Sequence, residues 1–270
     1  MKIKALSAPY ILWMALFVAA PIVLITVYAF TTSSGEFTLN NFSRMGSYLP
    51  VFGRSFLLAL IATVICLLLG YPLSYILSRE SPRFQQIALM LIMLPMWMNY
   101  LLRTYAWLSI LENTGLLNRL LSALHLPTLN IINTPSAVVL GMVYNFLPFM
   151  VLPIYSVITK IDRSLIEAAQ DLGAPPANVF RRVIFPLSLP GVLSGITMVF
   201  VPAVSTFVIS QLLGGSKSML LGDLIEMQFL GTAYNPHLGS AIALVMMIIV
   251  LVCMLVMNRF GQGEEQAVIL

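Results

Sequence analysis

The residues of this chain best suited to act on a partner molecule lie in one polar segment, residues 159–188, between two long apolar runs. This segment, which we call the polar loop, combines carboxylates, small residues and turn formers. A carboxylate beside alanines can pair with a basic group on a neighbouring molecule, because small side chains let two backbones approach closely. The candidate docking residues are Glu167, Ala168, Ala169, Asp171, Gly173 and Pro186.

Two short helices are predicted within the polar loop. Ser164 and Glu167 have the S-x-x-E spacing of a capping box, which places the start of the first helix at Ser164. Gly173 can adopt the positive φ that ends a helix, and Pro176 suits the first turn of a second one. Pro186 is expected to end that second helix. The loop is therefore predicted to form two short helices that meet at Gly173.

Most of the chain is apolar enough to require lipid as its solvent. Its 270 residues are 59% hydrophobic and only 9% charged, whereas a typical soluble domain is about 25% charged. Crossing a bilayer takes about 20 apolar residues in a helix, and six segments have this length. They are residues 9–30, 55–77, 87–111, 136–158, 189–213 and 238–258. The predicted fold class is an all-α membrane protein with six transmembrane helices in one domain, residues 1–270.

The distribution of lysine and arginine predicts the orientation in the membrane. With the N-terminus inside, most of the basic residues outside the spans fall in cytoplasmic segments, as the positive-inside rule requires. Both termini and the polar loop are therefore predicted to face the cytoplasm. The same rule accounts for the formal net charge of +4, so this charge gives no reason to expect a nucleic-acid partner.

The spacing within the polar loop resembles the "EAA" loop of ABC importer permeases. The family pattern is E-A-A-x(3)-G-x(9)-I-x-L-P, and this chain matches it with Val183 in place of Ile and Phe185 in place of Leu. Other parts of the chain are similar to permeases of the spermidine/putrescine type. These parts are residues 69–72, 95–99, 141–144 and 212–215. The resemblance covers nearly the whole chain, and it implies the type I importer permease fold with cytoplasmic coupling helices.

The resemblance also implies a function and a set of partners. The chain would be a non-catalytic permease subunit that moves polyamines across a bacterial plasma membrane by alternating access. The polar loop would dock into a cytoplasmic ATPase subunit, two copies of which bind ATP and Mg. The chain itself would bind no cofactor, and it has no G-x-x-x-x-G-K-[ST] motif. A second permease subunit, an extracytoplasmic polyamine-binding protein and membrane lipid complete the implied partners.

A path for polyamines needs carboxylates to offset the desolvation of ammonium groups and aromatic faces for cation–π contacts. Arg103 falls inside the third predicted span, where an unpaired arginine costs about 2.5–3.5 kcal/mol, so pairing with Asp223 or Glu226 is expected. A position on a solvated loop helix explains the two carboxylates as well as a role in the path does. The aromatic residues could instead form the belt that many membrane proteins have at the membrane surface. The candidates for the path or its gate are Asn99, Arg103, Tyr144, Asp223 and Glu226.

Other functions fit the sequence less well. An intramembrane enzyme needs a cluster of His, Asp, Glu or Cys within its spans, and the predicted spans contain none. His125 and His237 lack companions at metal-ligand spacing, so no metal site is predicted. A self-sufficient channel would leave the polar loop without a role. Within the permease family, the alternative to a polyamine is another small solute such as thiamine or ferric iron.

The Glu167→Lys substitution is expected to abolish transport while leaving membrane insertion intact, because it would turn attraction to a basic partner group into repulsion. The check is an uptake assay normalised to the amount of the chain recovered in the membrane. Normal uptake by this variant would contradict a docking role for the polar loop.

Overall fold

The computed structural model describes residues 8–215, 218–231 and 233–265. Within these ranges the chain is almost entirely helical, with one isolated β-bridge between Thr31 and Phe37. Helices dominate because a backbone in lipid must satisfy its own N–H and C=O groups within the segment. The two chain ends, which the sequence assigns to the cytoplasm, lie outside the described residues.

The main helices are labelled here in chain order. They are α1 Pro9–Ala29, α2 Leu49–Arg79, α3 Pro82–Trp97, α4 Tyr100–Leu111, α5 Leu116–Ala123, α6 Pro135–Ile158, α7 Arg163–Asp171, α8 Pro176–Ser205, α9 Leu221–Phe229 and α10 Pro236–Glu265. Shorter segments are Asn40–Met45, Gly46–Tyr48 and the π-helical turn Ser210–Gly214. Further π-helical turns lie inside α1 at Ala15–Ala19 and inside α8 at Phe180–Ile184. Of the described helices, α1, α2, α6, α8 and α10 are each long and apolar enough to cross a membrane.

The third predicted span, residues 87–111, is wrong as a single helix. It breaks after Trp97, and the helical segment that begins at Tyr100 is bent by 92° from α3. Asn99 is extended, and its side-chain oxygen accepts a hydrogen bond from the Leu101 N–H at 2.9 Å, as an N-cap residue does. A new helix therefore starts at this asparagine although the flanking residues are apolar. Counted as one broken span, the pair gives a sixth crossing.

The fifth predicted span, residues 189–213, is wrong at both ends. The helix α8 begins at Pro176 and ends at Ser205, where Thr206 turns extended. Pro186 does not end a helix, contrary to the prediction. In the π-helical turn before it, the Phe185 N–H donates to the carbonyl oxygen of Phe180. Because the hydrogen-bond ladder already shifts register there, the missing N–H of the proline is accommodated.

The core is the crossing of α2, α6 and α8, where glycines let the backbones approach. A Cβ on Gly70 of α2 would lie 3.0 Å from Met150 Cγ on α6, and one on Gly191 of α8 would lie 2.9 Å from the Pro153 carbonyl oxygen. Ser74 Oγ on α2 donates to the Val151 carbonyl oxygen on α6 at 3.0 Å. Small residues at such crossings replace the hydrophobic driving force that lipid does not supply.

The segment after α8 is fastened to this core. A Cβ on Gly222 of α9 would lie 2.5 Å from the Thr206 carbonyl oxygen. The Leu221 N–H donates to Ser55 Oγ on α2 at 2.8 Å. By contrast α1 packs mainly along α10, and at its end Asn41 Nδ2 donates to the Ala29 carbonyl oxygen at 3.0 Å. Most of the side chains of α1 are exposed. Lipid is the medium that its apolar surface requires.

Gly191→Ala is expected to destabilise the protein by about 1–3 kcal/mol, because the new methyl would press against backbone that cannot rotate away. Gly53→Ala in α2 is the matched control, since no atom lies within 4 Å of its Cβ position. Alanine in a helix is preferred over glycine by about 0.5–1 kcal/mol, so the control should be stabilising. Thermal unfolding in detergent measures both variants, and equal midpoints would contradict the close crossing of α6 and α8.

Candidate docking loop and buried polar site

The N-cap of the first helix in the polar loop lies two residues earlier than the sequence predicts. Asp162, not Ser164, is the N-cap, and its carboxylate accepts a hydrogen bond from the Ser164 N–H at 2.9 Å. The predicted capping box of Ser164 and Glu167 is therefore wrong, because Asp162, a residue that caps helices as well as serine does, precedes it. The hydrogen bonds from Ser164 hold the pKa of the exposed Asp162 carboxyl below its usual range. The stabilisation from this cap is fully present above the ordinary pKa of an aspartate and is lost as the pH falls through the lowered pKa.

The end of α7 is closed by its own backbone. Gly173 has φ of +77°, which confirms the predicted left-handed residue. Its N–H donates to the Gln170 carbonyl oxygen at 2.8 Å, and the Ala174 N–H donates to the Ala169 carbonyl oxygen at 3.1 Å. These two bonds form a Schellman motif, which satisfies carbonyls that a helix end otherwise leaves free. The turn is thus set by the chain itself.

The second helix of the polar loop is not separate. It begins at Pro176 and continues through the π-helical turn Phe180–Ile184 into α8, which forms one membrane-spanning helix. The two-helix prediction is correct only for the bend at Gly173. The polar loop is therefore one free-standing helix, a turn, and the first part of α8.

The surface that α7 presents is mixed in chemistry. Leu172 is 89% exposed and Leu165 is also exposed. The predicted docking residues are exposed or half-buried, and none is buried: Glu167, Ala168, Ala169, Asp171, Gly173 and Pro186. Exposed leucines beside carboxylates and alanines have the composition of a surface that a partner covers.

A polar cavity of about 510 Å³ lies beside α7. Its walls come from α7 and the adjoining ends of α2, α3 and α6. Charged residues of both signs line it, namely Arg79, Glu80, Arg163 and Glu167. Glu167 therefore stands at the edge of a space large enough to admit a side chain from another molecule.

A buried carboxyl marks the start of α9. Asp223 is 6% exposed, and its Oδ2 accepts the Leu220 N–H at 2.7 Å, whereas Oδ1 has no partner among the described residues. Burial raises the pKa of the Asp223 carboxyl to about 6, although the hydrogen bond from the Leu220 N–H opposes this rise. Glu226, one turn on, accepts a hydrogen bond from Gln211 Nε2. Asp223 thus keeps one carboxyl oxygen without a hydrogen-bond partner among the described residues, whereas Glu226 is bonded to Gln211.

Arg103 does not pair with either carboxylate. It is 8% exposed, and its Nε and Nη1 atoms have no hydrogen-bond partner in the described part of the chain. Its guanidinium carbon lies 5.8 Å from the centroid of the Tyr100 ring, whose hydroxyl lies 3.1 Å from Thr206 Oγ1. The predicted pairing is wrong because Asp223 caps its own helix and Glu226 bonds to Gln211.

The other candidates for the path lie on different helices. Asn99 caps α4, as described above. Tyr144 on α6 packs edge-on to Trp107 of α4, with ring centroids 5.2 Å apart. Both rings line an apolar cavity of about 680 Å³ between α2, α4 and α6. The described structure therefore brings Tyr144 to an apolar cavity, and Asp223 and Glu226 to a common helix, α9.

Sequence reasoning missed two sets of polar contacts between distant segments. The Tyr71 hydroxyl on α2 lies 2.8 Å from Ser188 Oγ on α8. The buried Asn118 amide donates to the carbonyl oxygens of Glu112 and Leu129, and its oxygen accepts the Leu129 N–H at 2.8 Å. The sequence shows only that each of these polar residues lies among apolar ones. This predicts that the residue forms a hydrogen bond, but it does not identify the residue that it bonds to.

The chain belongs to the family of binding-protein-dependent transport system inner membrane components, whose model matches residues 67–266. It is 39% identical over 257 residues to the spermidine/putrescine transport system permease protein PotB of Escherichia coli (strain K12), which covers 92% of this chain and 93% of that protein. It is 38% identical over 242 residues to the protein of the same name from Haemophilus influenzae, covering 86% of this chain and 84% of the relative.

Solved structures show the same fold. A chain of a bacterial ABC transporter that imports the acidic polysaccharide alginate superposes with a TM-score of 0.83 at 16% identity, covering 97% of this chain and 95% of that one. A chain of the MetNI methionine ABC transporter gives a TM-score of 0.61 at 16% identity, covering 82% and 98%. The predicted fold class, an all-α permease of the type I importer fold, is thereby confirmed, and the chain is a multi-pass membrane protein.

Gly173→Val is expected to loosen the end of α7, because a left-handed conformation costs about 1–2 kcal/mol for an ordinary residue and more for a β-branched one. Gly173→Asn is the matched control, since asparagine tolerates this conformation. No atom lies within 4 Å of the Cβ position, so any difference comes from the backbone.

Hydrogen exchange at Gln170–Ala174 measures the effect. An acceleration of about tenfold is expected for valine, which corresponds to 1.4 kcal/mol, and less than threefold for asparagine. Equal exchange in the two variants would contradict the role of Gly173 in closing the helix.

Proposed function

We propose that the chain is the non-catalytic membrane subunit of an ATP-driven importer for polyamines such as spermidine and putrescine. The observation that carries this proposal is the 39% identity, along 92% of the chain, to a permease named for these two solutes. The fold and the family support a transport role, and the exposed α7 supports a soluble partner that supplies the energy.

We further propose four partners and an orientation. Two copies of a cytoplasmic ATPase bind ATP and Mg, and each docks on the coupling helix of one permease subunit. A second permease subunit, distinct from this chain, completes the path, and an extracytoplasmic polyamine-binding protein delivers the cargo. Both termini and the polar loop face the cytoplasm of the bacterium. The mixed surface of α7 supports the ATPase contact.

Glu167 is the proposed electrostatic contact with the ATPase. It lines the cavity beside α7 together with Glu80, so a basic side chain from the partner would meet two carboxylates there. Arg79 and Arg163 on the same walls limit the fit to one orientation, because they repel a misplaced cation. Ala168 and Ala169 allow the close approach that such a contact needs.

The proposed transport cycle follows from the continuity of the polar loop with α8. When the ATPases close on ATP, they move α7, and the turn at Gly173 passes this motion to α8. Because the glycines of α8 let it pack closely against the backbone and side chains of α6, the helices move as packed bodies. The membrane subunits would then alternate between inward- and outward-facing forms.

Asp223 is the proposed contact for an ammonium group of the cargo. Its Oδ1 is buried without a hydrogen-bond partner, and a desolvated ammonium group requires such an acceptor. Glu226, Tyr144, Asn99 and Arg103 remain proposals for the path or its gate. The buried cation of Arg103 favours a second candidate, a permease of the same family for another solute, because it would repel a polycation.

Reconstitution of the chain with its partner permease, ATPase and binding protein in proteoliposomes tests the proposal. Spermidine or putrescine is expected to stimulate ATP hydrolysis several-fold and to accumulate inside, whereas thiamine and ferric complexes should do neither. Asp223→Asn is expected to lower polyamine uptake at least tenfold, while Ser240→Ala, a buried polar change in α10, should leave it within twofold. Stimulation by thiamine or iron alone would instead support the second candidate.

A further inference from the structure

The second half of the polar loop meets α2 through a cluster of aromatic rings. The Phe180 ring stands edge-on to the Tyr75 ring, with centroids 5.2 Å apart, and to the Tyr71 ring at 5.9 Å. The Phe185 ring lies 5.9 Å from Tyr71. We call these four side chains the aromatic joint. Edge-to-face contacts are directional, so the rings resist sliding past one another.

A hydrogen bond reinforces the aromatic joint. Ser188 Oγ donates to the Phe185 carbonyl oxygen at 2.9 Å, so the Tyr71 hydroxyl is the donor in its 2.8 Å contact with Ser188 Oγ. Both side chains are buried. A hydrogen bond away from water is costly to break, because its groups find no replacement partner. This bond therefore ties α2 to the early part of α8.

The end of α2 that carries the aromatic joint is itself attached to α6. Ser74, between Tyr71 and Tyr75 in sequence, donates to the Val151 carbonyl oxygen, and Gly70 packs on Met150. A displacement of Tyr71 and Tyr75 would therefore shift this end of α2 and α6 together.

Phe180 also occupies a special position in its own helix. It is the first residue of the π-helical turn Phe180–Ile184, which lies within the polar loop just before the apolar part of α8. Such turns occur often at functional sites, because they locally change the register of a helix. Val179, which precedes the turn, and Ile184, its last residue, are both buried, so the turn is held firmly in place.

We propose that the aromatic joint carries the motion of the polar loop to α2, which makes Phe180 a positioning residue for transport; this inference rests on the proposed function. The loop is continuous with α8 but has no chain connection to α2. A pull that moved α8 alone would separate Tyr71 from Ser188. Through the aromatic joint, α2 follows α8, and it then moves together with α6, which already packs on α8.

A purely structural role for the rings predicts a different outcome from a coupling role. If Phe180 only fills space, its truncation lowers the amount of folded protein, and hydrolysis and import fall in proportion. If it transmits motion, the ATPase still closes and hydrolyses ATP, while the membrane helices follow poorly. The ratio of ATP hydrolysed to polyamine imported separates the two roles.

The experiment uses the complete complex in proteoliposomes with spermidine, and compares Phe180→Ala with Phe180→Tyr, which keeps the ring. Phe84→Ala is the matched control, because Phe84 is an exposed phenylalanine of α3 outside the joint. For Phe180→Ala, import is expected to fall at least tenfold while hydrolysis stays within twofold, so the ratio rises at least fivefold. The Phe180→Tyr and Phe84→Ala ratios should remain within twofold of the unaltered complex.

Tyr71→Phe serves as a second variant, since it removes only one hydroxyl and keeps the packing. Its ratio is expected to rise about threefold. An unchanged ratio in both Phe180→Ala and Tyr71→Phe would contradict the proposal that the aromatic joint transmits motion. An equal loss of hydrolysis and import would contradict it as well. If spermidine fails to stimulate the unaltered complex, the proposed cargo is wrong. The ratio of ATP hydrolysed to solute imported, measured with the solute that does stimulate the complex, then tests whether the aromatic joint transmits motion.

Discussion

The close crossing of α2, α6 and α8 is the constraint on which the other features depend. Met150 of α6 lies against Gly70 of α2 on one side and against Gly195 of α8 on the other, where a Cβ would come within 2.7 Å of its Sδ atom. Lipid tails are as apolar as leucine, so the helices associate through this close packing rather than by escape from water. The polar loop, which joins α6 to α8, is positioned by that crossing.

The sequence was sufficient for the features that depend on composition and on local backbone preference. Apolar length identified the helices that cross the membrane, and a glycine at the end of a predicted short helix identified the left-handed residue at Gly173. Prediction from the sequence failed where a capping side chain or a shift in hydrogen-bond register changed the course of a helix. Asn99 starts a new helix inside an apolar run, and the π-helical turn before Pro186 lets α8 pass a residue that usually ends a helix.

The partners of buried polar groups were also beyond the sequence, for a physical reason. Pairing depends on which helices cross and at which height, and apolar runs of similar composition do not encode either. Tyr71 and Ser188 are 117 positions apart, yet their hydroxyls share a hydrogen bond. The Nε and Nη1 atoms of Arg103 and the Oδ1 atom of Asp223 lack hydrogen-bond partners among the described residues, and an unsatisfied buried group costs about 1–3 kcal/mol. Polar groups that a membrane protein keeps buried at such a cost are typically functional.

The Schellman turn at the end of α7 has a consequence for recognition. A loop that must be ordered by its partner loses conformational entropy on binding, and this loss weakens the complex. Here the backbone bonds of Gly173 and Ala174 hold the loop in one shape before any partner arrives. Binding energy is therefore available for docking rather than for folding. A preorganised loop of this kind favours tight binding in a subunit that must stay bound to its partner through repeated cycles of opening and closing.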